Sequence, residues 1–307
     1  MYLYHPGYWK LTLASTIHLE SAQNMKVDLH CHSYFSDGKQ APEFLVQRAI
    51  ENKVSHLAIT DHDCTAALDL IANHLTELTI INGVEISCQW NSMEIHIVGL
   101  LIDPASGDLR ELLSSQQQQR KLRMQAMDEK LRSLGTDGLL SYFENLPCIS
   151  YTRSHVADFL VAEKVCKNRQ KAFKSHLGKR GKIYIGSNWC SLAEAIACIQ
   201  SAGGIAVLAH PGRYPLSWRK LETLVDDFKD YGGEALEGSY SNIDPNSRKR
   251  LCELALAKSL YLSGGSDFHD RAAHWTDIGK FPALDQQALK NAIWLHPKWH
   301  SLNQKTL

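Results

Sequence analysis

The chain has 307 residues, 44% of them apolar, and its 33 Lys and Arg are balanced by 33 Asp and Glu. That length can bury one large domain, or one domain with an insert, and zero net charge excludes a global pull toward nucleic acid or an anionic membrane, leaving only local patches. No apolar run approaches the roughly 20 residues needed to span a bilayer.

Eight cysteines, at 31, 64, 88, 148, 166, 190, 198 and 252, form no C-x-x-C pair. This spacing argues against a disulfide framework or a thiolate zinc site, and for reduced thiols in the cytoplasm. Residues 1–24 lack the basic start, apolar stretch and small-residue cleavage site of a signal peptide. Met25 is expected to be the natural start, with 1–24 a non-native or accessory extension. The alternative is a genuine arm packed on the domain.

Strands and helices then alternate. "KVDLH" reads as a strand. "APEFLVQRAIEN" reads as a helix, with Pro42 in its first turn and apolar residues at 45, 46, 49 and 50. "VSHLAIT" is a strand ending at "DHD", and "AALDLIANHL" is helical. "LTIINGVEIS" and "MEIHIVGLLID" are strands. From 103 to 186 the strand signal fades. "DLRELLSSQQQQRKLRMQAMDEKLRSLG" is a long polar helix stopped by Gly135. "RSHVADFLVAEKV" and "KNRQKAFKSHLG" are also helical, so 103–186 reads as a helical insertion.

Alternation resumes with "SLAEAIACIQSAGG", where Ser191 and Glu194 form a capping box and Gly203 and Gly204 stop the helix. "IAVLAHP" is a strand and "WRKLETLVDDFKDYGG" a helix. "EALEGSYS" is a strand, "NSRKRLCELALAKS" a helix and "LYLSGGSDFHD" a last strand. Repeated strand-then-helix units imply a parallel sheet. Six or seven such units suit a barrel better than an open sheet. The barrel is expected to comprise 25–102 and 187–307.

Nearly every predicted strand ends in His, Asp or Glu. The set is His30, His32 and Asp37; Asp61, His62 and Asp63; Glu85; His96; His210; and Asp267 with His269. A lone strand-end His is usually structural, but in parallel α/β architectures strand ends converge on one functional rim. Imidazoles with carboxylates and no thiolate suit Mn, Fe or Zn and disfavour all-oxygen Mg or Ca sites. About nine ligands suffice for two or three ions, and ions about 3.5–4 Å apart are common machinery for phosphoester hydrolysis.

The stretches "DLHCHSYFSDG", "LAITDHD", "GVEIS", "IHIVGL", "AHPGRY" and "SGGSDFH" resemble, in order, the motifs of the PHP (polymerase and histidinol phosphatase) superfamily. The helical insertion resembles that of the bacterial 3',5'-nucleotide bisphosphatase subgroup, which includes a 5'→3' exoribonuclease. The resemblance implies a distorted (β/α)7 barrel with a small helical insertion and three divalent transition-metal ions, Mn2+ foremost and Fe2+ or Zn2+ next.

Carried over by motif, one ion falls to His30, His32, Glu85 and Asp267. A second falls to Glu85, His96 and His210, and a third to Asp37, His62 and His269. Asp37, His210 and His269 also count as catalytic. Asp61 and Asp63 are expected to orient neighbours or cap a loop, and Asp270 to be solvated.

In "YTRSHVADFL", Arg153 and His155 match residues that contact substrate phosphate in the subgroup. Arg's planar fork suits that task. The alternative is an ordinary helix start with Thr152 or Ser154 as cap. Arg213 is a further candidate for phosphate, and Lys179, Arg180 and Lys182 either line the same mouth or form a solvated loop.

The implied substrates are nucleoside 3',5'-bisphosphates and short, 5'-phosphorylated single-stranded RNA, with no membrane and no obligate protein partner. The alternatives are a histidinol-phosphate or other small phosphomonoesterase, and a non-catalytic metal-binding module.

Overall fold

The computed structural model describes residues 25–71 and 77–299, so the expectation for 1–24 lies outside the described residues. The strands are β1 Val27–Asp28, β2 His56–Leu57, β3 Thr79–Ile80, β4 Gly83–Trp90, β5 Met93–Leu100, β6 Cys190–Ser191, β7 Ile205–Leu208, β8 Ala235–Tyr240 and β9 Tyr261–Gly265. They form a three-stranded sheet, β1-β2-β3, and a six-stranded sheet, β6-β4-β5-β7-β8-β9.

Hydrogen bonds stitch the two sheets into a circuit. Leu29 N donates to Gly264 O at 3.1 Å and His32 N to Phe268 O at 2.9 Å, joining β9 to β1. On the other side Asp63 N donates to Glu85 O at 2.8 Å, joining the chain after β2 to β4. One apolar cluster draws residues from opposite sides of this circuit, including Leu29, Ala58, Val98, Val207 and Ala235. It therefore fills the interior, and Trp294 and Trp299 join it from the C-terminal end. Each fully buried Leu or Val here contributes about 1.5–3 kcal/mol, and each Ala less.

The sheet is not wholly parallel. β5 runs antiparallel to both β4 and β7. The cause is a two-residue turn at Asn91 and Ser92, with φ of 46° and 61°. Positive φ at both turn positions matches the twist of a tight hairpin. "LTIINGVEIS" is likewise broken into β3 and β4. "AALDLIANHL" forms only a 3-10 turn over Ala66–Asp69 within the described residues.

Helices pack outside the circuit. They are α1 Pro42–Glu51, α2 Gly107–Ser133, α3 Leu139–Glu144, α4 Arg153–Ala162, α5 Arg169–Ala172, α6 Leu192–Ser201, α7 Trp218–Asp230 and α8 Pro245–Ala257. Ser191 and Glu194 cap α6 reciprocally, as the motif implies. A separate apolar cluster spans Met124 to Ile183, built from α2 to α5 and the chain after them. It meets the strands through buried polar contacts: Arg120 of α2 donates to Asp63 through Nε at 2.9 Å and to Ser87 Oγ at 2.8 Å. No helix among the described residues is long and apolar enough to cross a membrane.

Candidate metal centre

The predicted ligands meet in one place, although Glu85 lies within β4 and His96 within β5 rather than at strand ends. The β4–β5 register sets Ser87 opposite His96 and Gln89 opposite Glu94. Side chains alternate along a strand, so Glu85, Ser87, Glu94 and His96 share one face. Two glycines let the loop carrying His30 and His32 approach. A Cβ on Gly265 would lie 2.4 Å from the His30 Cβ, and one on Gly38 would lie 2.1 Å from the His32 carbonyl oxygen. His210 and Asp267 take φ of 31° and 50°. Such backbone strain in non-glycine residues is held only where the surrounding structure enforces it, often at functional sites.

Glu85 is the hub, fully buried. Its Oε1 lies 3.0 Å from His96 Nδ1 and 3.0 Å from His210 Nε2. Its Oε2 lies 2.9 Å from His62 Nδ1, 3.3 Å from His32 Nε2 and 3.4 Å from His30 Nε2. Asp267 Oδ1 is 3.2 Å from His32 Nε2, and Asp37 Oδ1 is 3.2 Å from His269 Nε2. Donor atoms of three overlapping sets gather within 4.8 Å: His32, Asp37, His62 and His269; His30, His32 and Glu85; and His62, Glu85 and His96. His32 thus also approaches the set around Asp37.

The electrostatics are those of a cation site. Burial disfavours charge on Glu85, yet His62, His30 and His96 hold its carboxyl well below the usual range. Asp37 is likewise held low, against burial, by His269 and His62. Burial opposes charge on His30, but Glu237 and Glu85 push it up to about 10. Asp37 Oδ1, His62 Nδ1, Glu85 Oε2 and His210 Nδ1 are buried without a hydrogen-bond partner. His62 Nδ1 and Glu85 Oε2 are close but not aligned to bond. Orphaned buried acceptors are costly. Three of them, Asp37 Oδ1, His62 Nδ1 and Glu85 Oε2, lie within the imidazole–carboxylate cluster and fit bound divalent metal.

Beside the cluster opens a polar cavity of about 160 Å³. Asp37, His62 and His96 line it from the cluster, and Arg120, Arg123 and Arg153 from the insertion. Arg153 Nη2 donates to Glu94 Oε1 at 3.1 Å, and Arg123 Nη1 lies 3.5 Å from Glu94 Oε2. His155 is not at this cavity. It caps α4, where its Nδ1 accepts from Thr152 N at 3.1 Å, while Thr152 Oγ1 donates to Asp37 Oδ2 at 3.2 Å. The helix-start reading of this stretch is therefore also right, with Thr152 as the cap.

Arg213 pairs with Asp267 on another edge of the cluster. Lys179, Arg180 and Lys182 are exposed and do not line the cavity. Asp61 accepts from Ser33 N at 2.8 Å and from Ser36 Oγ at 2.6 Å, and Asp63 anchors Arg120. Asp270 accepts from Ala272 N at 2.8 Å.

A family model described as the PHP domain matches residues 28–189, which carry His30, His32, Asp37, His62, Glu85 and His96. The chain belongs to the PHP domain family. It is 41% identical over 258 residues to the 5'-3' exoribonuclease Rnm of Escherichia coli (strain K12), covering 82% of this chain and 88% of the relative. It is 36% identical over 261 residues to the 3',5'-nucleoside bisphosphate phosphatase of Chromobacterium violaceum, covering 82% and 90%. Among solved structures, an amidohydrolase from Chromobacterium violaceum with bound sulfate and no metal superposes with a TM-score of 0.81 at 33% identity, covering 88% of this chain and 95% of that one.

In this PHP domain chain, the sequence reading missed Glu237. On β8, fully surrounded, it approaches His30 Nδ1 through Oε1 at 2.7 Å and accepts from His210 N through Oε2 at 2.6 Å. The one available signal was an acid in the middle of a predicted strand, "EALEGSYS". Arg120, Arg123 and Glu94 were missed as well. The signal for the arginines lay in α2, whose mid-section buries Gln116, Arg120 and Arg123.

Proposed function

We propose that this chain is a metal-dependent phosphoesterase that removes the 3'-phosphate of nucleoside 3',5'-bisphosphates and, by the same chemistry, trims short 5'-phosphorylated RNA from its 5' end. One observation carries the reading: a buried imidazole–carboxylate cluster with orphaned acceptors opens directly onto an arginine-lined cavity. The names of the relatives point the same way.

His30, His32, Glu85 and Asp267 would hold one ion, Glu85, His96 and His210 a second, and Asp37, His62 and His269 a third; six of these nine ligands are imidazoles, which favours a transition metal over Mg2+ or Ca2+, and Mn2+ is the one that the family resemblance implies. Such ions supply Lewis-acid polarisation of the phosphoryl oxygens and acidify the attacking water.

The chain's own side chains do the rest. Arg153 donates to the substrate's 5'-phosphate, for which a cavity of about 160 Å³ has room. Glu94 keeps the Arg153 and Arg123 guanidiniums in place before substrate arrives. His155 and Thr152 fix the start of α4, and so the position of Arg153 relative to Asp37. Helices α2 and α4 of the 103–186 insertion wall the site from water on that side, which strengthens every charge interaction within it. Residues 25–102 and 187–307 form the metal-bearing unit, and the reduced thiols fit a cytoplasmic setting.

The test is a substrate panel run with chelator-stripped, Mn-reloaded protein: adenosine 3',5'-bisphosphate, 5'-phosphorylated oligoribonucleotides, the matching oligodeoxynucleotides and histidinol phosphate. Preference for the first two supports the reading. Preference for histidinol phosphate would overturn it.

A further inference from the structure

The Arg213 edge of the cluster leads onto a second surface. Arg213 donates through Nη2 to the Ser241 carbonyl at 3.3 Å, and its side chain is 42% exposed. Ser241 Oγ lies 2.9 Å from Thr276 Oγ1. Next in the chain stands Trp275, 64% exposed, the most exposed large apolar side chain among the described residues.

A single exposed aromatic is ordinary on its own. This one shares a cavity of about 510 Å³ with Ser241, Lys26 and Lys280. Among the described residues neither lysine is paired with a carboxylate: Lys26 Nζ donates to Asn52 O at 2.7 Å and Lys280 Nζ to His274 O at 3.4 Å. The acid that also lines the cavity, Asp277, is engaged by Arg48 Nε at 3.0 Å. The cavity therefore offers a flat indole face and uncompensated positive charge, and it joins the metal cluster through Arg213.

We propose that this cavity is the track for the nucleotides downstream of the scissile phosphate, with Trp275 stacking on one base and Lys26 and Lys280 meeting backbone phosphates. The occupant is single-stranded nucleic acid. The inference rests on the phosphoesterase reading above. Its direction follows from the contacts that cross the site, from Arg153 through Glu94, His96, Glu85, His32 and Asp267 to Arg213. A 5'-phosphate held at Arg153 sets the next phosphate over the cluster and sends the remaining strand toward Arg213. Aromatic stacking beside a cationic groove binds single strands with little regard for base. A nucleoside bisphosphate has no downstream nucleotide and does not reach Trp275.

The experiment compares the unaltered full chain with Trp275→Ala and Trp275→Phe, all Mn-loaded. Affinity for a labelled, 5'-phosphorylated ten-nucleotide RNA with phosphorothioate linkages is read by fluorescence anisotropy, and turnover is measured on adenosine 3',5'-bisphosphate. Trp275→Ala is expected to weaken RNA binding about 5- to 100-fold and to leave bisphosphate turnover within about twofold. Trp275→Phe should keep most of the affinity. A DNA strand losing affinity by the same factor also supports the track, because stacking ignores the sugar. Unchanged RNA affinity in Trp275→Ala, or equal losses on RNA and bisphosphate, would overturn it. Bisphosphate turnover by the unaltered protein separates the two failures: its absence counts against the phosphoesterase reading, and its presence with unchanged RNA affinity counts against the track alone.

Discussion

Glu237→Gln swaps one oxygen for an NH2 group at a position where both oxygens are committed. Oε2 accepts from His210 N at 2.6 Å, and Oε1 faces His30 Nδ1 at 2.7 Å. If the new NH2 faces His210, two donors oppose each other beside a residue whose φ is already 31°. If it faces His30, Nδ1 must accept, and the ring proton moves to Nε2. That nitrogen looks at Glu85 Oε2, 3.4 Å away, and Asp267 Oδ1, 3.5 Å away, where a metal would need its lone pair. Either way the ligand set is misoriented. Loss of a partner that orients a metal-ligating His costs about 10–100-fold in metal affinity, which is about 1.4–2.8 kcal/mol. Competition for Mn2+ with a chromophoric chelator measures this directly, with near-ultraviolet circular dichroism confirming that the metal-free variant is folded. A folded Glu237→Gln protein that binds Mn2+ within about twofold of the unaltered one would refute the reasoning.

Three further outcomes are expected. Asp37→Ala or His269→Ala should lower turnover by orders of magnitude while metal-free thermal stability stays close to the unaltered protein's, because these side chains serve ions rather than the core; near-normal turnover in metal-loaded Asp37→Ala would contradict the three-ion assignment. Arg120→Ala strands Asp63, which is fully buried, and should cost about 3–5 kcal/mol in urea denaturation; a loss below about 1 kcal/mol would mean that the bridge between α2 and the strands carries little. Burial holds His56 down to about 4, below its unfolded value of about 6.5. The unfolded state therefore takes up its proton first, and stability should fall as pH drops from about 6.5 to about 4 and level off below. His56→Phe should flatten part of that slope in pH-dependent denaturation, and parallel curves for the two proteins would count against it.

Most of the nine candidate ligands were legible because they follow a strand, where a polar residue after an apolar run stands out; Glu85 and His96 lie within β4 and β5 and were legible as lone polar residues among apolar ones. Glu237 did not stand out. It lies inside β8 among residues that are all buried, and its reason for being there is two partners 207 and 27 residues away in sequence. Arg120 and Arg123 were hidden for a different reason. A helix whose inward face carries Gln116, Arg120 and Arg123 shows no clean apolar stripe, so α2 read only as a long polar helix. The antiparallel β5 was missed because its turn uses Asn-Ser, not the Asn-Gly that signals a tight hairpin most strongly. Arg153 was found through its motif, but that motif could not separate the cavity-facing Arg153 from the capping His155 two residues on.

In the proposed function, the site counts from a terminal 5'-phosphate held by the insertion, with the next phosphate over the metals. The most direct measurement is the rate of mononucleotide release by Mn-loaded protein from one short RNA prepared with a 5'-monophosphate and with a 5'-hydroxyl, repeated with Arg153→Ala. Stepwise degradation of the phosphorylated strand and near inertness of the hydroxyl strand are expected. Arg153→Ala should erase most of the difference, a loss of about 1.5–3 kcal/mol as expected for one charge-assisted hydrogen-bonded group. Equal degradation of the two strands by the unaltered protein would contradict the proposal.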